Sequence, residues 1–205
     1  MSNRFRTGVL LTLGVGAAFA VAVVKPAIGQ DRDVPIVFPA VINGQYGDLP
    51  AVVSALSKPR SSDDELAGSA LEMFSRLVSI GRVDASASAR SRRILETGAA
   101  GPLWIVPASN GFAYLTNDTA GIVPGVLGRE MPAAGATIKR RASEPARAFG
   151  IVSDDVVAVE VIANGAVTEA TLLGNGYSWE AEDSSLSLEN ISIRVRLNDG
   201  ILVSL

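Results

Sequence analysis

The last third of the chain alternates regularly between apolar and polar residues, which is typical of antiparallel strands. Two runs, Val156–Ala163 and residues 166–173, flank Asn164-Gly165, the dipeptide that most strongly favours a two-residue hairpin turn. Further strands are predicted at residues 177–181, Ile191–Leu197 and residues 201–205. The pattern therefore predicts a small antiparallel sheet system in this part of the chain.

A two-residue turn at Asn164-Gly165 fixes which residues face one another across the hairpin. An inward apolar face is predicted to pair Val157 with Leu172, Val159 with Ala170, and Val161 with Thr168. On the other face, Glu160 is predicted to lie opposite Glu169. Two neighbouring carboxylates suit a metal-ion site or a catalytic acid pair. A solvated sheet face is the favoured interpretation, because no cleft and few other oxygen ligands accompany the two acids.

Residues 62–81 carry the pattern of an amphipathic helix. Ser62 is predicted as the N-cap, with Glu65 at capping-box spacing and Gly81 as the stop signal. Apolar residues recur every three or four positions and form one stripe, which consists of Leu66, Ala70, Met73, Phe74 and Leu77. The stripe predicts a helix that packs one face on the rest of the domain.

A second, more polar helix is predicted over residues 85–96. Three arginines lie close together on it, Arg90, Arg92 and Arg93. We interpret the trio as a solvated helix face, and an anion contact is the alternative.

The middle of the chain reads as short strands and loops. Residues 103–106 and 112–115 are β-type runs around a turn at 107–111, and residues 121–135 are predicted as a loop because Gly or Pro recurs every few positions. The predicted fold class is α+β. It comprises an N-terminal apolar segment, a short helical region and a small antiparallel β domain, for which a sandwich is one arrangement.

Residues 7–24 form an uncharged apolar run that follows Arg4 and Arg6. A basic start, an apolar run and then small residues are typical of a secretory signal, and the run is short for a helix that stays in the membrane. We therefore predict an extracytoplasmic protein, with residues 1–30 as a signal peptide or an uncleaved anchor. A buried core helix is the third interpretation.

Residues 31–50 are predicted as a linker or extended arm, and residues 51–205 as the helix plus β domain.

The charge balance limits the classes of partner. The chain carries 18 basic and 21 acidic side chains, and without residues 1–30 its net charge falls from −3 to −6. An acidic chain argues against nucleic acid and against electrostatic binding to anionic lipid. Contact with a membrane is therefore expected only through the N-terminal segment, if it is not cleaved. The chain has no cysteine, so packing must stabilise it without disulfides.

The composition also excludes several kinds of catalytic site. The chain has neither histidine nor cysteine, which excludes Ser-His-Asp and Cys-His triads and thiolate zinc sites. It has no phosphate-binding loop, dinucleotide fingerprint or Gly-x-Ser-x-Gly elbow, and no cofactor is expected. Aromatic residues are the remaining candidates for ligand binding, as a carbohydrate-stacking platform of Trp104, Tyr114, Tyr177 and Trp179. Core packing is the favoured interpretation for all four.

Three stretches carry a resemblance to known proteins: ALSKPRSSDDELA from Ala55, GPLWIVPASNGFAYL from Gly101, and the segment FGIVSDDVVAVEVIANG from Phe149 with its continuation to Glu182. Together they resemble a group of uncharacterised exported or membrane-anchored actinobacterial proteins. That group has a Trp-x-Val-Pro strand and a C-terminal Gly-Leu-Val-Pro-Asp-Gly-Val-type β-hairpin domain. This chain departs from the group at Ile151–Val156 and lacks the cysteines that the group often carries. The resemblance implies location and fold type, and it carries over no catalytic motif.

These observations favour an exported, non-enzymatic interaction module or envelope-associated module, whose partner is an unidentified protein or an envelope glycan. Two alternatives remain, a carboxylate-dependent glycan-active enzyme and a carbohydrate-binding module that uses surface aromatics. Clustered acids in a cleft would favour the enzyme, and exposed coplanar aromatic rings would favour the carbohydrate-binding module.

Overall fold

The computed structural model describes residues 20–22, 36–38, 49–108, 111–125 and 127–205, and for the first two ranges the backbone only. Most of the apolar run at residues 7–24 therefore lies outside the described residues. Within the described residues, no helix is long and apolar enough to span a membrane.

Twelve of the described strands form three four-stranded antiparallel sheets, which confirms the predicted antiparallel β domain. The strands in chain order are β1 (Ala20–Ala22), β2 (Ile36–Phe38), β3 (Arg92–Leu95), β4 (Leu103–Ala108), β5 (Gly111–Leu115), β6 (Ala120–Pro124), β7 (Ala133–Ile138), β8 (Arg147–Val152), β9 (Val156–Ala163), β10 (Ala166–Glu169), β11 (Thr171–Leu173), β12 (Gly176–Glu180), β13 (Ile191–Leu197) and β14 (Leu202–Ser204). Sheet I has the order β3-β4-β5-β6, sheet II the order β11-β12-β8-β7, and sheet III the order β10-β9-β13-β14. The strands β1 and β2 pair with each other.

The described helices are few and short. They are α1 (Leu49–Val52) and α2 (Gly68–Ser79), with 3₁₀ turns at Ser54–Ser57, Ser62–Asp64, Ala85–Arg90 and Leu188–Asn190. The predicted apolar stripe is confirmed, because Ala70, Phe74 and Leu77 are buried and Leu66 and Met73 pack beside them. Gly81 follows the end of α2 with a φ of +68°, as expected of a helix stop.

The predicted capping box at Ser62 and Glu65 is wrong by one residue and caps a different element. The Asp64 carboxylate accepts a hydrogen bond of 2.7 Å from the Ser61 backbone N–H, and the pair closes the 3₁₀ turn Ser62–Asp64. The α-helix begins only at Gly68. The acidic residues that predicted a helix start therefore stabilise the 3₁₀ turn Ser62–Asp64, which precedes α2.

The second predicted helix, over residues 85–96, is also wrong. The 3₁₀ turn Ala85–Arg90 is followed by β3, which pairs Arg92 with Ile105 and Arg93 with Trp104 of β4. Residues with ordinary helix propensity adopt a strand here, because pairing with a buried neighbouring strand outweighs local preference. The three arginines therefore do not share a helix face.

The helix α2 and the three sheets stack in four layers. Buried residues of α2 pack on one face of sheet I, which presents Trp104, Val106, Ala113 and Leu115. The other face of sheet I packs on sheet II, through side chains that include Leu103, Ile105, Phe112, Phe149 and Ile151. The second face of sheet II packs on sheet III, through Ala148, Val152, Tyr177, Val159, Val161 and Val195. Sheet II is thus covered on both faces, because alternate side chains of each strand point to opposite sides.

The predicted hairpin register is confirmed over the length of β10. Glu169 pairs with Glu160 and Thr168 with Val161, and Asn164 and Gly165 adopt φ values of +49° and +82° at the turn. Beyond Glu169 the prediction is wrong, because Thr171 and Leu172 pair with Ser178 and Tyr177 in sheet II. Only the Ala170 N–H, which donates to the Val159 carbonyl at 2.8 Å, continues the hairpin before the chain changes sheets.

Three further features differ from prediction. Val157 is 53 % exposed and does not face inward, because the register of β9 with β13 shifts at this point. Pro107, predicted in a turn, is a strand residue of β4 opposite Phe112. The predicted loop at residues 121–135 contains most of β6 and the start of β7. Gly121 packs against Tyr114 and Gly135 against Tyr177, both on neighbouring strands, so a small residue there does not indicate a loop.

Candidate functional site

The candidate site is an apolar cleft of about 280 Å³ at the β7 edge of sheet II. Five consecutive residues of β7 border it, from Ala133 to Thr137. Val123 and Met131 lie on the side of sheet I, and Ile191, Ile193 and Leu205 on the side of sheet III. Since none of the bordering side chains is charged, the cleft suits an uncharged apolar group.

Tyr114 reaches the cleft from sheet I. Its ring lies across Gly121, where an added Cβ would be 2.1 Å from the ring atom Cζ, and it meets Phe149 edge to face with centroids 6.3 Å apart. Its hydroxyl donates to the Gly135 carbonyl at 3.2 Å. Burial raises the pKa of Tyr114, so the hydroxyl stays protonated and donates at all ordinary pH values.

Tyr177 reaches the same strand from the opposite face of sheet II. Its ring covers Gly150, where a Cβ would be 2.6 Å from Cε1, and its hydroxyl oxygen would be 2.6 Å from a Cβ at Gly135. Burial, and secondarily the neighbouring Tyr114, raise the pKa of Tyr177. The two tyrosines therefore bring two protonated hydroxyls to Gly135, in a lining that is otherwise mostly hydrocarbon.

The four aromatic residues do not form the surface platform that was the less favoured interpretation of them. Trp104 is 5 % exposed in the core between α2 and sheet I, and its Nε1 is buried without a hydrogen-bond partner among the described residues. Tyr114 and Tyr177 are each 1 % exposed. Trp179 is half-buried and donates from Nε1 to Thr168 Oγ1 at 3.2 Å. The four rings do not form a coplanar exposed surface, although the two tyrosines border the cleft.

An arginine lies beside the predicted acid pair of Glu160 and Glu169. Arg194 lies opposite Glu160 on β13, and its guanidinium forms an ion pair with the Glu160 carboxylate. Glu160 therefore lies between a carboxylate on β10 and a guanidinium on β13, so the pair is partly neutralised. Throughout the described ranges, no group of three or more acidic side chains is arranged to hold a metal ion.

Other carboxylates are engaged in structural hydrogen bonds. Asp154 Oδ1 accepts from the Ser54 N–H at 3.0 Å and from Asn175 Nδ2 at 2.8 Å, and the Asn175 Oδ1 accepts from the Ala55 N–H at 3.0 Å. Burial acts to raise the pKa of Asp154, but the hydrogen bonds from Asn175 and Ser54 outweigh it and lower the pKa. This network fixes the turn at Ser54–Ser57 against the ends of β8 and β12.

Arg92 and Arg93 of the arginine trio likewise contact neighbouring residues. Arg93 forms an ion pair of 3.2 Å with Asp63, and Arg92 donates from Nη1 to the Ser91 carbonyl at 2.9 Å. These contacts give no support to the anion contact that was the alternative interpretation of the trio.

The lining of the cleft was missed by the sequence prediction, except for the two tyrosines. Ala133, Ala134 and Ala136 carry no distinctive side chain, and they lie at the end of the predicted loop or beyond it. The available signal was the run from Ala133 to Ile138, which is uncharged and has no proline. Comparisons of the chain with protein-family models, with curated proteins and with solved structures gave no match.

Proposed function

We propose that the protein is an exported, non-enzymatic interaction module that holds an uncharged apolar group of its partner in the cleft beside β7. The observation that carries this proposal is the cleft itself, about 280 Å³ in volume and bordered mostly by apolar residues, with Tyr114, Tyr177, Thr137 and Ser192 as the bordering residues that carry hydroxyls. Its volume is near the lower end of the range for small-molecule sites, about 300 Å³. In this proposal the N-terminal segment is followed along the chain by a sandwich-like stack of sheets that carries the binding cleft.

The geometry gives less support to a carboxylate-dependent glycan-active enzyme. Such an enzyme needs acids with raised pKa in a cleft, and no Asp or Glu side chain borders the cleft beside β7. Hydrogen bonds lower the pKa of four described acids, Asp64, Asp84, Asp154 and Asp183. A carbohydrate-binding module is also less supported, because three of its four candidate rings are buried.

Binding in the cleft is tested with Nile red, an uncharged dye whose emission shifts to the blue in apolar sites. We expect the full chain to bind the dye, and Thr137→Trp to weaken binding at least about tenfold, because the indole fills the cleft. Thr171→Trp is the matched control, since Thr171 is exposed on β11 and does not border the cleft. Both variants keep the N-terminal apolar segment, so a difference between them reports on the cleft. Equal binding by the two variants contradicts the proposal.

Export is supported by Arg4 and Arg6 ahead of the apolar run at residues 7–24. We expect fractionation of the native host to recover the protein outside the cytoplasm, either cleaved near residue 30 or retained in the membrane. Mass spectrometry of the N-terminus distinguishes these two forms. Recovery from the cytosol with Met1 intact contradicts export.

A further inference from the structure

The strand β7 presents a row of backbone groups on the side away from β8. The Ser153 N–H donates to the Pro132 carbonyl at 2.8 Å, and the register continues from there through Ala133 opposite Val152. In an antiparallel pair, only every second residue exchanges hydrogen bonds with the same neighbour. The even-numbered residues of β7 therefore bond to β8, and the N–H and C=O groups of Ala133, Gly135 and Thr137 point to the free side.

One observed contact supports this assignment. The Gly135 carbonyl accepts the hydroxyl of Tyr114, which comes from sheet I and not from β8. No hydrogen bond joins the N–H groups of Ala133, Gly135 or Thr137 to another described residue. Each of these N–H groups is a strong donor that favours a partner when it is covered.

Most other outer strands of the three sheets carry features that discourage further pairing. Sheet I ends in β3, which carries Arg92 and Arg93 and a register shift, and in β6, which ends in Pro124. The outer strands β11 and β14 have three residues each, and β10 has four and ends in Glu169. By contrast, β7 pairs with β8 over six residues without a register shift, a charge or a proline. Proteins usually protect such an edge, so an edge without these features points to use.

The cleft follows this edge and does not lie on one face of the sheet. Successive side chains of a strand point to opposite faces, so a space bordered by five consecutive residues must run along the strand's side. Val123 and Met131 stand on one side of the edge, and Ile191 and Ile193 on the other. The cleft also continues the two apolar cores that sheet II shares with sheets I and III.

We propose that β7 is a strand-addition site, which takes an extended, uncharged, apolar peptide segment of a partner protein. The peptide backbone pairs with Ala133, Gly135 and Thr137, and its alternate side chains contact the two apolar walls of the cleft. This inference rests on the proposed binding function of the cleft and names the class of its occupant. An acyl chain would contact the same walls but would leave the three backbone N–H groups without an acceptor, so the geometry favours a peptide.

The test uses the full chain and a fluorescein-labelled peptide in which threonine and valine alternate over six residues, with two lysines at each end for solubility. Two further peptides carry N-methyl groups on one or the other alternate set of the six residues. N-methylation removes hydrogen-bond donors and leaves the side chains in place. We expect the parent peptide to bind in fluorescence anisotropy. One methylated peptide should bind at least about tenfold more weakly, and the other should keep its affinity.

Substitutions in β7 itself test the same hydrogen bonds by changing the protein and not the peptide. Thr137→Pro removes a backbone N–H that faces the cleft and leaves the hydrogen bonds to β8 intact, whereas Thr137→Val keeps that N–H. We expect the proline variant to lose peptide binding by at least about tenfold and the valine variant to retain it. Circular dichroism checks that both variants fold. If the proline variant does not fold, the methylated peptides still decide the question.

The outcomes separate this inference from the function on which it rests. If both methylated peptides bind as well as the parent, or if Nile red binds in the cleft and the peptide does not, strand addition is wrong and the apolar binding site stands. If neither the dye nor the peptide binds, both proposals fail.

Discussion

Single carboxylates hold distant parts of this domain together. Asp64 is 8 % exposed and accepts hydrogen bonds from the Ser61 N–H at 2.7 Å, the Ser61 hydroxyl at 3.1 Å and the Arg93 N–H at 2.8 Å. The last of these joins the turn before α2 to β3, 29 residues further along the chain. Burial acts to raise the pKa of Asp64, but these hydrogen bonds, together with the charge of Arg92, outweigh burial and lower it.

The lowered pKa of Asp64 predicts the direction of a pH effect. Stability from its ionised form is present above the ordinary pKa of 3.8 and is lost as the pH falls through the lower pKa of the folded protein. We expect Asp64→Asn to reduce the free energy of unfolding by about 2 kcal/mol at pH 7, with the difference from the unmodified protein shrinking below pH 4. Urea denaturation at pH 7 and at pH 3 measures both values.

The neighbouring acid provides the control for this prediction. The Asp63 side chain is 70 % exposed and forms a surface ion pair with Arg93, so Asp63→Asn should change stability by no more than about 0.5 kcal/mol. If the two variants lose the same stability, or if the effect of Asp64→Asn does not depend on pH, the buried hydrogen bonds are not the cause.

Among the helices, strands and turns, the sequence predicted correctly those features that depend on residues close by in the chain. The Asn164-Gly165 turn, the bounds of β9 and β13, and the apolar stripe of α2 follow from turn chemistry and from periods of two and 3.6 residues. These features depend on neighbours within a few positions of the chain. They therefore required no knowledge of the rest of the fold.

The wrong predictions concern elements that distant contacts decide. The chain leaves sheet III near Ala170 because Thr171 and Leu172 pair with β12, and β3 is a strand because Arg92 and Arg93 pair with β4. The cleft was missed for the same reason. Its lining of alanines and glycine forms no recognisable sequence pattern. The hydroxyl groups of Tyr114 and Tyr177 reach it from two different faces of sheet II, which only the folded structure shows. The ligand-binding role of these tyrosines stays a prediction.

At the scale of the whole molecule, sheet II joins the two cores that lie between sheets. Phe149 and Ile151 of β8 face sheet I, while Ala148 and Val152 of the same strand face sheet III. Loss of sheet I or of sheet III would expose one apolar face of sheet II to water, at a cost of about 25 cal/mol for each Å². The layers are therefore expected to unfold together, in a single cooperative transition.

The two tryptophans test this cooperativity because they lie in different layers. Trp104 packs between α2 and sheet I, and Trp179 packs against the core between sheets II and III. We expect Trp104→Phe and Trp179→Phe each to give one urea transition, in which the fluorescence of the remaining tryptophan and the far-UV circular dichroism have the same midpoint. Comparing two probes within one variant removes the effect of the substitution on overall stability. If the fluorescence midpoint of Trp179 precedes the circular dichroism midpoint while that of Trp104 does not, sheet III separates first, and the cleft that it borders opens before the rest of the domain unfolds.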